Sequence, residues 1–555
     1  MMTPIAKIKW SKNNIESYYN DFDYQNALQT SNSSKFEVKY YKGLGTSSDS
    51  EIKESFGEKV VCFLTDENTD LQLNMIFHKN CSLERKNWLL THNAHHYQVP
   101  DKEYPITLYL NQELIKFSLE DCKRSIPCLF DGLKVSQRKI LFSVFRKGLS
   151  YTGKSMKVAQ LAGYCAEQSN YHHGEQCLYE TIIKMSHYFP GSNNLPYFER
   201  DGQFGSRVYG GKDAANARYI FTKLGPITRY LFPSEDDILL DYTLDDGIKV
   251  QPDFYLPILP TILMNGCTAG IGTGWSCYIP CFRVIDIIEK VKLFLKGTCR
   301  KFELKPYYDD FDGKIEKITE NKYQTIGILK EKTERKKKVY EIRELPIGTW
   351  TDRYKEELET LQENKKIKNL KNYSTTEKVH FEFEEGIEKM EINEDTLKLK
   401  TNLNLTNMVM FIEEDKIQKF DTIYSIFMYY CEKRLELYQK RIEYLIDITE
   451  KNLEMVENKS KFIVAVVKKE IELFNKSEEV IENVLNTKKY KKIEDSYDYL
   501  LRIPLRDLTK NKYEQLKDKI KEYEEYLEKL KNITPQEMWS EDLENFEKEY
   551  RKYYK

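Results

Sequence analysis

The residues of this sequence best suited to chemistry are a tyrosine and the arginine before it, which follow a glycine-rich stretch. The segment reads Gly210-Gly211-Lys212-Asp213-Ala214-Ala215-Asn216-Ala217-Arg218-Tyr219-Ile220-Phe221-Thr222. A phenol with its ordinary pKa of about 10 is a poor nucleophile near neutral pH, and a nearby cation, base or metal activates it by favouring the phenolate. The guanidinium of Arg218 stays protonated, and its planar fork fits phosphate oxygens. The pair is therefore suited to chemistry beside a phosphate, although an arbitrary Arg-Tyr pair is more often structural.

Further short motifs surround this segment in a fixed order. They are Thr3-Pro4-Ile5-Ala6-Lys7, Tyr40-Tyr41-Lys42-Gly43-Leu44-Gly45-Thr46-Ser47, Arg124-Ser125-Ile126-Pro127, Asp131-Gly132-Leu133-Lys134, Gln137-Arg138-Lys139, Gln160-Leu161-Ala162-Gly163, Tyr171-His172-His173-Gly174-Glu175, Gly191-Ser192-Asn193-Asn194-Leu195, Gly202-Gln203-Phe204-Gly205, Gly270-Ile271-Gly272-Thr273-Gly274-Trp275-Ser276, Glu344-Leu345-Pro346 and Tyr499-Leu500-Leu501. Each motif alone is a weak signal. The ordered series, together with the tyrosine segment, resembles the eukaryotic-type (type IIA) DNA topoisomerase II family over almost the whole chain.

The resemblance implies a transesterification on DNA. Tyr219 would attack a backbone phosphorus, leaving a 3′-hydroxyl and a 5′-phosphotyrosyl link, and Arg218 and His173 would steady the charge on the phosphoryl oxygens. The break would let a second duplex pass and would then reseal by reversal. Adjacent histidines could instead suggest a metal site, but the side chains of His172 and His173 are neighbours in sequence and rarely converge on one ion without further ligands.

The resemblance also implies which residues touch DNA. The matching positions are Lys42, Arg124, Lys134, Gln137, Arg138, His172, Gln203 and Lys212. Ile271 matches an isoleucine that wedges between base pairs, and such apolar wedges kink a duplex. Two departures occur in these motifs, since Ala269 stands where the family usually has glutamate and Val135-Ser136 replaces Pro-Gly.

The charge distribution favours a nucleic-acid partner although the net charge is −2. Residues 121–229 hold 16 Lys and Arg against 8 Asp and Glu, which gives +8 there and −10 elsewhere. DNA affinity depends on where cations lie rather than on their sum. Residues 133–147 have helical periodicity with a stop at Gly148, and the polar residues at the start of this helix suit phosphate contact, with a solvated face as the alternative.

The family's metal and nucleotide sites have no match in this sequence. Neither its Glu-Gly-Asp-Ser-Ala motif nor its Asp-x-Asp-x-Asp cluster for Mg²⁺ occurs, and its ATPase region has no equivalent. The resemblance therefore implies a breakage-reunion subunit or fragment that acts as a homodimer on double-stranded DNA. Mg²⁺ and ATP would be bound by a separate ATPase/TOPRIM polypeptide. A split gene and a shortened chain both fit.

The expected fold is mixed α/β and α, in five parts. These are a C-terminal remnant of a TOPRIM domain (1–55), a helical connector with a helix at 82–90 (56–120), a winged-helix domain carrying the tyrosine (121–229), an α/β tower (230–412), and a coiled coil with a small helical C-gate for dimerisation (413–555). Heptad spacing predicts two long helices, from Asp421 to about Asn475 and from Tyr513 to Leu530, flanking a tip at 476–509. Strands are expected at Ile262–Met264, 379–383 and 397–405 in the tower.

The composition fits an intracellular protein of the nucleus or cytoplasm, or of a viral replication site. The 11 cysteines are scattered, without a Cys-x-x-Cys pair, which indicates reduced thiols. No apolar run has the length of a membrane helix, and no membrane partner is expected. The basic run at 335–338 is either a nuclear signal or, as strands around it suggest, a hairpin turn. Two other functions stay open, a catalytically silent DNA-binding homologue and a coiled-coil scaffold.

Overall fold

The computed structural model describes residues 4–11, 14–30, 36–41, 43–56, 60–91, 103–245, 247–334, 337–413, 416–472, 476–493, 495–507 and 509–554. Within these ranges the chain is mixed α/β, as the sequence predicts, with one large core and three smaller ones. The described residues contain no helix that is both long and apolar enough to cross a membrane.

The N-terminal part has a small antiparallel sheet and a series of short helices. Its elements are β1 (Ala6–Ser11), β2 (Asn14–Tyr18), α1 (Asp21–Thr30), β3 (Glu37–Tyr40), α2 (Asp49–Ser55), β4 (Cys62–Leu64), α3 (Thr69–Phe77), α4 (Ser82–Leu90), β5 (Glu103–Pro105), α5 (Ile106–Tyr109) and α6 (Ile115–Ser125). The first three strands pair in the order β2-β1-β3, over a separate core of Ala6, Ile8 and Tyr24. The predicted helix at 82–90 is confirmed as α4.

The central part contains the large core and the tyrosine segment. Its elements are α7 (Val135–Lys147), β6 (Met156–Lys157), α8 (Val158–Gln168), α9 (Glu175–Ser186), β7 (Phe221–Thr222), α10 (Thr228–Leu231), β8 (Tyr242–Asp245), β9 (Ile248–Pro252), α11 (Thr261–Asn265), β10 (Cys267–Gly272), β11 (Trp275–Ile279) and α12 (Val284–Leu295). Gly148 ends α7 with a left-handed φ of 69°, which is the conformation predicted for this stop. Ile262–Met264 is not a strand but lies in the short helix α11.

Residues 314–404 form the sheet segment, which has a core of its own and also packs against the large core through Tyr323 and Leu403. It contains β12 (Lys314–Thr319), β13 (Lys322–Ile326), β14 (Ile328–Glu334), β15 (Lys337–Glu344), α13 (Thr351–Glu363), β16 (Ile367–Asn372), β17 (Phe381–Glu385) and β18 (Lys400–Asn404). The sheets have the orders β12-β13-β18 and β14-β15-β17-β16. Strands β14 and β15 pair antiparallel up to Glu334 and Lys337, which confirms strands on both sides of the basic run. Residues 335–336 lie outside the described residues.

The last part consists of a hairpin, a long helical arm and a returning helix. Its elements are β19 (Met408–Glu413), β20 (Lys416–Phe420), α14 (Ile423–Val467), α15 (Glu478–Thr487), α16 (Asp498–Leu501), α17 (Lys510–Asn532) and α18 (Pro535–Tyr553). Helices α14 and α17 pack side by side, and a small core that includes Phe462, Leu485 and Leu500 fills the tip.

Two contacts bear on the expected coiled-coil and C-gate part (413–555). Its expected limit at 412/413 falls inside the β19–β20 hairpin, which pairs Met408 with Phe420. The end of the chain packs against the central part, because Trp539 of α18 is fully buried in the large core and its Nε1 donates to the carbonyl of Ile258 at 3.0 Å. The arm is therefore attached to the central part at both of its ends.

Candidate functional site

Tyr219 lies at the end of a loop, residues 202–220, whose backbone is fixed at both ends. Asp201 and Phe221 exchange two backbone hydrogen bonds, at 3.1 and 2.9 Å, where the loop starts and finishes. Near the tyrosine, the carbonyl of Ile220 accepts from Val158 N–H at 3.0 Å. The tyrosine side chain itself is 72% exposed, while Ile220 beside it is buried. A fixed backbone thus presents a solvent-facing phenol.

The glycine-rich character of the loop reflects close backbone packing. Gly205 has a φ of +95°, and a Cβ there would lie 2.5 Å from the carbonyl oxygen of Gly211. The segments on the two sides of the loop therefore touch through their backbones at Gly205 and Gly211, and any side chain at Gly205 would prevent this contact.

Two further residues of the tyrosine segment, Asp213 and Asn216, organise the loop and were not singled out from the sequence. The carboxylate of Asp213 accepts from Ser206 N–H at 2.8 Å and from its hydroxyl at 2.6 Å. The side-chain oxygen of Asn216 accepts from Arg218 N–H at 3.1 Å and from its Nε at 3.3 Å. Asp and Asn in a glycine-rich loop are the usual residues for such local bonds, and that signal was available in the sequence.

Arg218 lies close enough to helix α9 for its charge to influence the pKa of a tyrosine on that helix. The phenol of Tyr179 on that helix has a raised pKa, because it donates to Glu175 at 2.7 Å and is partly desolvated, and the nearby guanidinium of Arg218 opposes this shift. Helix α9 starts directly after Gly174 and so follows the His172-His173 pair. The exposed arginine therefore lies beside that helix.

The structure brings four of the predicted DNA-contacting or catalytic residues to one groove. Arg124, Arg138, His172 and His173 line a cavity of about 660 Å³. His172 Nε2 lies 3.0 Å from Asp245 Oδ2, and Arg124 donates to Asp121 at 2.8 Å. The His173 ring packs edge-on against Tyr171 with 5.3 Å between ring centroids. Tyr219 is not among the lining residues, so the groove and the tyrosine loop are neighbouring surfaces rather than one pocket.

The predicted phosphate contacts at the start of α7 differ in their exposure in the structure. Lys134 is partly exposed, and its Nζ donates to the carbonyl of Ala269 at 2.8 Å. The side-chain oxygen of Gln137 accepts from Lys134 N–H at 2.8 Å, which closes the first turn. Arg138 is buried instead, with its Nε 2.6 Å from Asp131 Oδ2 and one Nη donating to the carbonyl of Leu133. The structure pairs this guanidinium with a fully buried carboxylate, which does not favour the expected contact of Arg138 with DNA.

Ile271 lies at the end of the β10–β11 hairpin with 74% of its surface exposed. The hairpin rests on α6 through the glycines on either side of it, since a Cβ at Gly270 would lie 3.2 Å from the carbonyl of Ser125 and one at Gly272 would lie 3.0 Å from Cα of Cys122. An apolar side chain is thus exposed on a firmly supported turn, as a wedge residue requires.

Two of the remaining predicted contacts belong to the tyrosine loop. Gln203 and Lys212 are both exposed, and Gln203 Nε2 donates weakly to Asp213 at 3.4 Å. Lys42 lies outside the described residues.

The residues present do not fit a Mg²⁺ site beside Tyr219. Within the described ranges, only Glu341, His380 and Glu382 place three potential ligand atoms close enough to share an ion, and they belong to the sheet segment. The Glu341 carboxylate there is already paired with Lys332 and with Arg343, whose Nε lies 3.0 Å away. These cations hold the pKa of Glu341 at about 2 although burial acts to raise it.

Comparisons with known proteins give matches over most of the chain. The family model of the A-type subunit of DNA gyrase/topoisomerase IV matches residues 124–544, and that of the C-terminal associated domain of TOPRIM matches residues 1–122. A DNA topoisomerase 2 of Invertebrate iridescent virus 6 is 37% identical over 91% of this chain and 45% of its own length. A DNA topoisomerase 2 of Plasmodium falciparum is 38% identical over 98% of this chain and 42% of its own length.

A solved structure resembles the chain over nearly its whole length. It is the DNA-binding, cleavage and re-ligation domain of Plasmodium falciparum topoisomerase II, with a TM-score of 0.85 and 38% identity over 99% of this chain and 79% of that one. The chain spans less than half the length of the curated relatives that it matches.

Proposed function

This chain belongs to the type II DNA topoisomerase family, and we propose that it breaks and rejoins DNA through Tyr219. The observation that carries the proposal is the exposed phenol on a fixed loop, with an arginine beside it whose charge is free of any carboxylate in the described contacts. The tyrosine oxygen gives up its proton and forms a bond to phosphorus as the bond from phosphorus to the 3′ oxygen breaks, and the 3′ oxygen takes up a proton. The reverse reaction reseals the strand.

The surrounding polar residues hold the duplex in this proposal. Arg218 and His173 stabilise the charge on the phosphoryl oxygens. Contacts to the DNA backbone come from Lys42, Arg124, Lys134, Gln137, His172, Gln203 and Lys212. Ile271 enters a base step and bends the duplex. Two copies of the chain cut the two strands of one duplex, and a second duplex passes through the gap.

Mg²⁺ and ATP would be bound by a separate polypeptide. The described carboxylates near the loop do not form a metal site. The purified chain alone should therefore bind DNA but cleave it poorly with Mg²⁺, and vigorous cleavage by it would contradict this division of labour.

Replacing Tyr219 by Phe tests the function, because it removes one oxygen from an exposed side chain. We expect DNA affinity and the free energy of unfolding to stay within about 0.5 kcal/mol of the wild type. With a metal-bearing type II topoisomerase polypeptide supplied, denaturant should trap the wild-type chain on 5′ DNA ends, and Tyr219→Phe should give no adduct. Tyr209→Phe, another exposed tyrosine, is the matched control. An adduct mapped to any other tyrosine would exclude Tyr219 as the nucleophile, and DNA binding without any adduct would favour a silent homologue.

A further inference from the structure

His187 connects the end of helix α9 to the tyrosine loop. It follows α9 directly and is only 7% exposed. Its Nε2 lies 2.8 Å from the carbonyl oxygen of Phe204, within the loop. A carbonyl can only accept, so Nε2 must carry the ring proton and donate it to the loop backbone.

A second contact joins the same ring to the other side of the loop, at Gly211. Gly211 has a φ of +84°, and a Cβ there would lie 2.2 Å from Cε1 of His187. The backbone of Gly211 thus packs directly on the imidazole, and its N–H donates to the carbonyl of Ser206 at 2.8 Å. One ring therefore contacts the loop both before and after its turn.

The ring is itself held in place and kept neutral. Asn193 donates to the His187 carbonyl at 3.0 Å, and the ring packs against Phe189 with centroids 5.0 Å apart. Burial lowers the pKa of His187 to about 4, and the charges of Arg200 and Lys184 act in the same direction. The Phe204 carbonyl and Asp213 act in the opposite direction. The neutral imidazole can therefore donate to Phe204 throughout the neutral pH range.

We propose that His187 is a positioning residue that fixes the loop carrying Tyr219 relative to helix α9. Because α9 starts next to the His172-His173 pair and ends at His187, it links the groove to the tyrosine loop as one rigid unit. The proposal rests on the proposed function, since it assigns His187 a part in presenting the nucleophile. His187 does not touch the reacting atoms.

Two substitutions separate the donated hydrogen bond from the volume of the ring. His187→Phe keeps an aromatic ring and removes the donor, whereas His187→Gln places an amide N–H near the position of Nε2. Hydrogen–deuterium exchange is measured for peptides covering residues 202–221, with peptides from α17 as a reference. His380→Phe, a partly buried histidine of the sheet segment, is the control.

We expect His187→Phe to raise exchange in residues 202–221 at least about 10-fold relative to the wild type, and His187→Gln to restore slow exchange. Unchanged exchange in His187→Phe would overturn the proposal, and so would equal acceleration in α17 or in the control. Adduct formation is then measured on a duplex with a 3′-bridging sulfur, whose thiolate leaves readily. We expect roughly 10- to 100-fold slower adduct formation in His187→Phe with an unchanged Kd for DNA, and recovery in His187→Gln.

The two measurements keep the inference separate from the proposed function. If the wild type forms no adduct, the proposed function fails, and the exchange experiment still judges whether His187 fixes the loop. If the wild type forms an adduct through Tyr219 and His187→Phe forms it equally fast, the inference fails and the function stands.

Discussion

Two basic residues at the start of α7 show how far a side chain's type determines its role. Lys134 and Arg138 lie one turn apart and look equivalent in the sequence, yet one is partly exposed and the other is buried. The difference arises from Asp131, whose carboxylate binds Arg138 and accepts from Tyr255 N–H at 3.0 Å, more than a hundred residues along the chain. Such long-range enclosure leaves no mark in the local sequence, so the burial of Arg138 could not be predicted.

Methionine substitutions at these two positions should therefore affect different properties, the stability of the fold at Arg138 and DNA binding at Lys134. Arg138→Met leaves Asp131 charged and buried without its partner, so we expect the free energy of unfolding to fall by about 3 kcal/mol. Lys134→Met should leave stability within about 0.5 kcal/mol and weaken DNA binding for all sequences alike, with a flatter salt dependence. Urea denaturation and salt titrations of DNA affinity measure the two effects. Wild-type stability with weakened DNA binding in Arg138→Met would show that Arg138 is a phosphate contact after all.

His187 should also make stability depend on pH. Its pKa is about 4 in the folded chain against an ordinary value near 6.5, so between these values the unfolded chain binds the proton and the folded chain does not. This contribution is lost as the pH falls from about 6.5 towards 4, and it is fully present above that window. Between pH 7 and pH 5 the wild type should lose about 2 kcal/mol more than His187→Gln. Parallel urea denaturation at the two pH values gives this difference directly. Equal losses would mean that the pKa of His187 in the folded chain is close to its ordinary value.

At the scale of elements, the sequence predicts the helices better than the short strands. The expected helix at 133–147 is observed as Val135–Lys147, because periodicity and a glycine stop act locally. The apolar run Ile262–Met264 gives no periodicity, since all three residues are completely buried, and a short helix cannot be told from a strand in such a run. The tyrosine segment was recognisable as a motif, but its anchor His187 lies outside the family motifs and has no local signal.

The β10–β11 hairpin permits a test of DNA bending that does not disturb the fold. Ile271 is 74% exposed, so Ile271→Ala should change the free energy of unfolding by less than about 0.5 kcal/mol. Energy transfer between dyes at the ends of a duplex of about 30 base pairs should report less bending, because no wedge holds a base step open. Ile387→Ala removes an equally exposed isoleucine from the sheet segment and should bend DNA as the wild type does. Full bending by Ile271→Ala would remove the wedge assignment.

At the scale of the whole molecule, buried charges at the base of the arm determine how much of the arm can be removed without disturbing the large core. Arg434 of α14 is completely buried and donates to Asp236 at 2.7 Å and to the carbonyl of Leu256 at 2.6 Å. Arg441, further along the same helix, donates to Asp542 of α18 at 2.7 Å. The first part of α14 is thus a component of the central core. Removing the whole arm would unfold the core rather than only release a dimer contact.

A shorter deletion tests the proposed dimer contact at the tip. Lys531 and Glu450 pair at 2.8 Å across the arm, so replacing residues 455–525 by a linker of about five Gly and Ser residues can join helices that lie about 10 Å apart. The tip that is removed has its own core and exposes Val467 and Val480, which a second copy could cover. We expect light scattering at micromolar concentration to show a dimer for the full chain and a monomer for the shortened one. Both should have similar melting temperatures, because the charged base of the arm is retained. A monomeric full chain would exclude the tip as a stable dimer contact, and a dimeric shortened chain would place the contact in the central part.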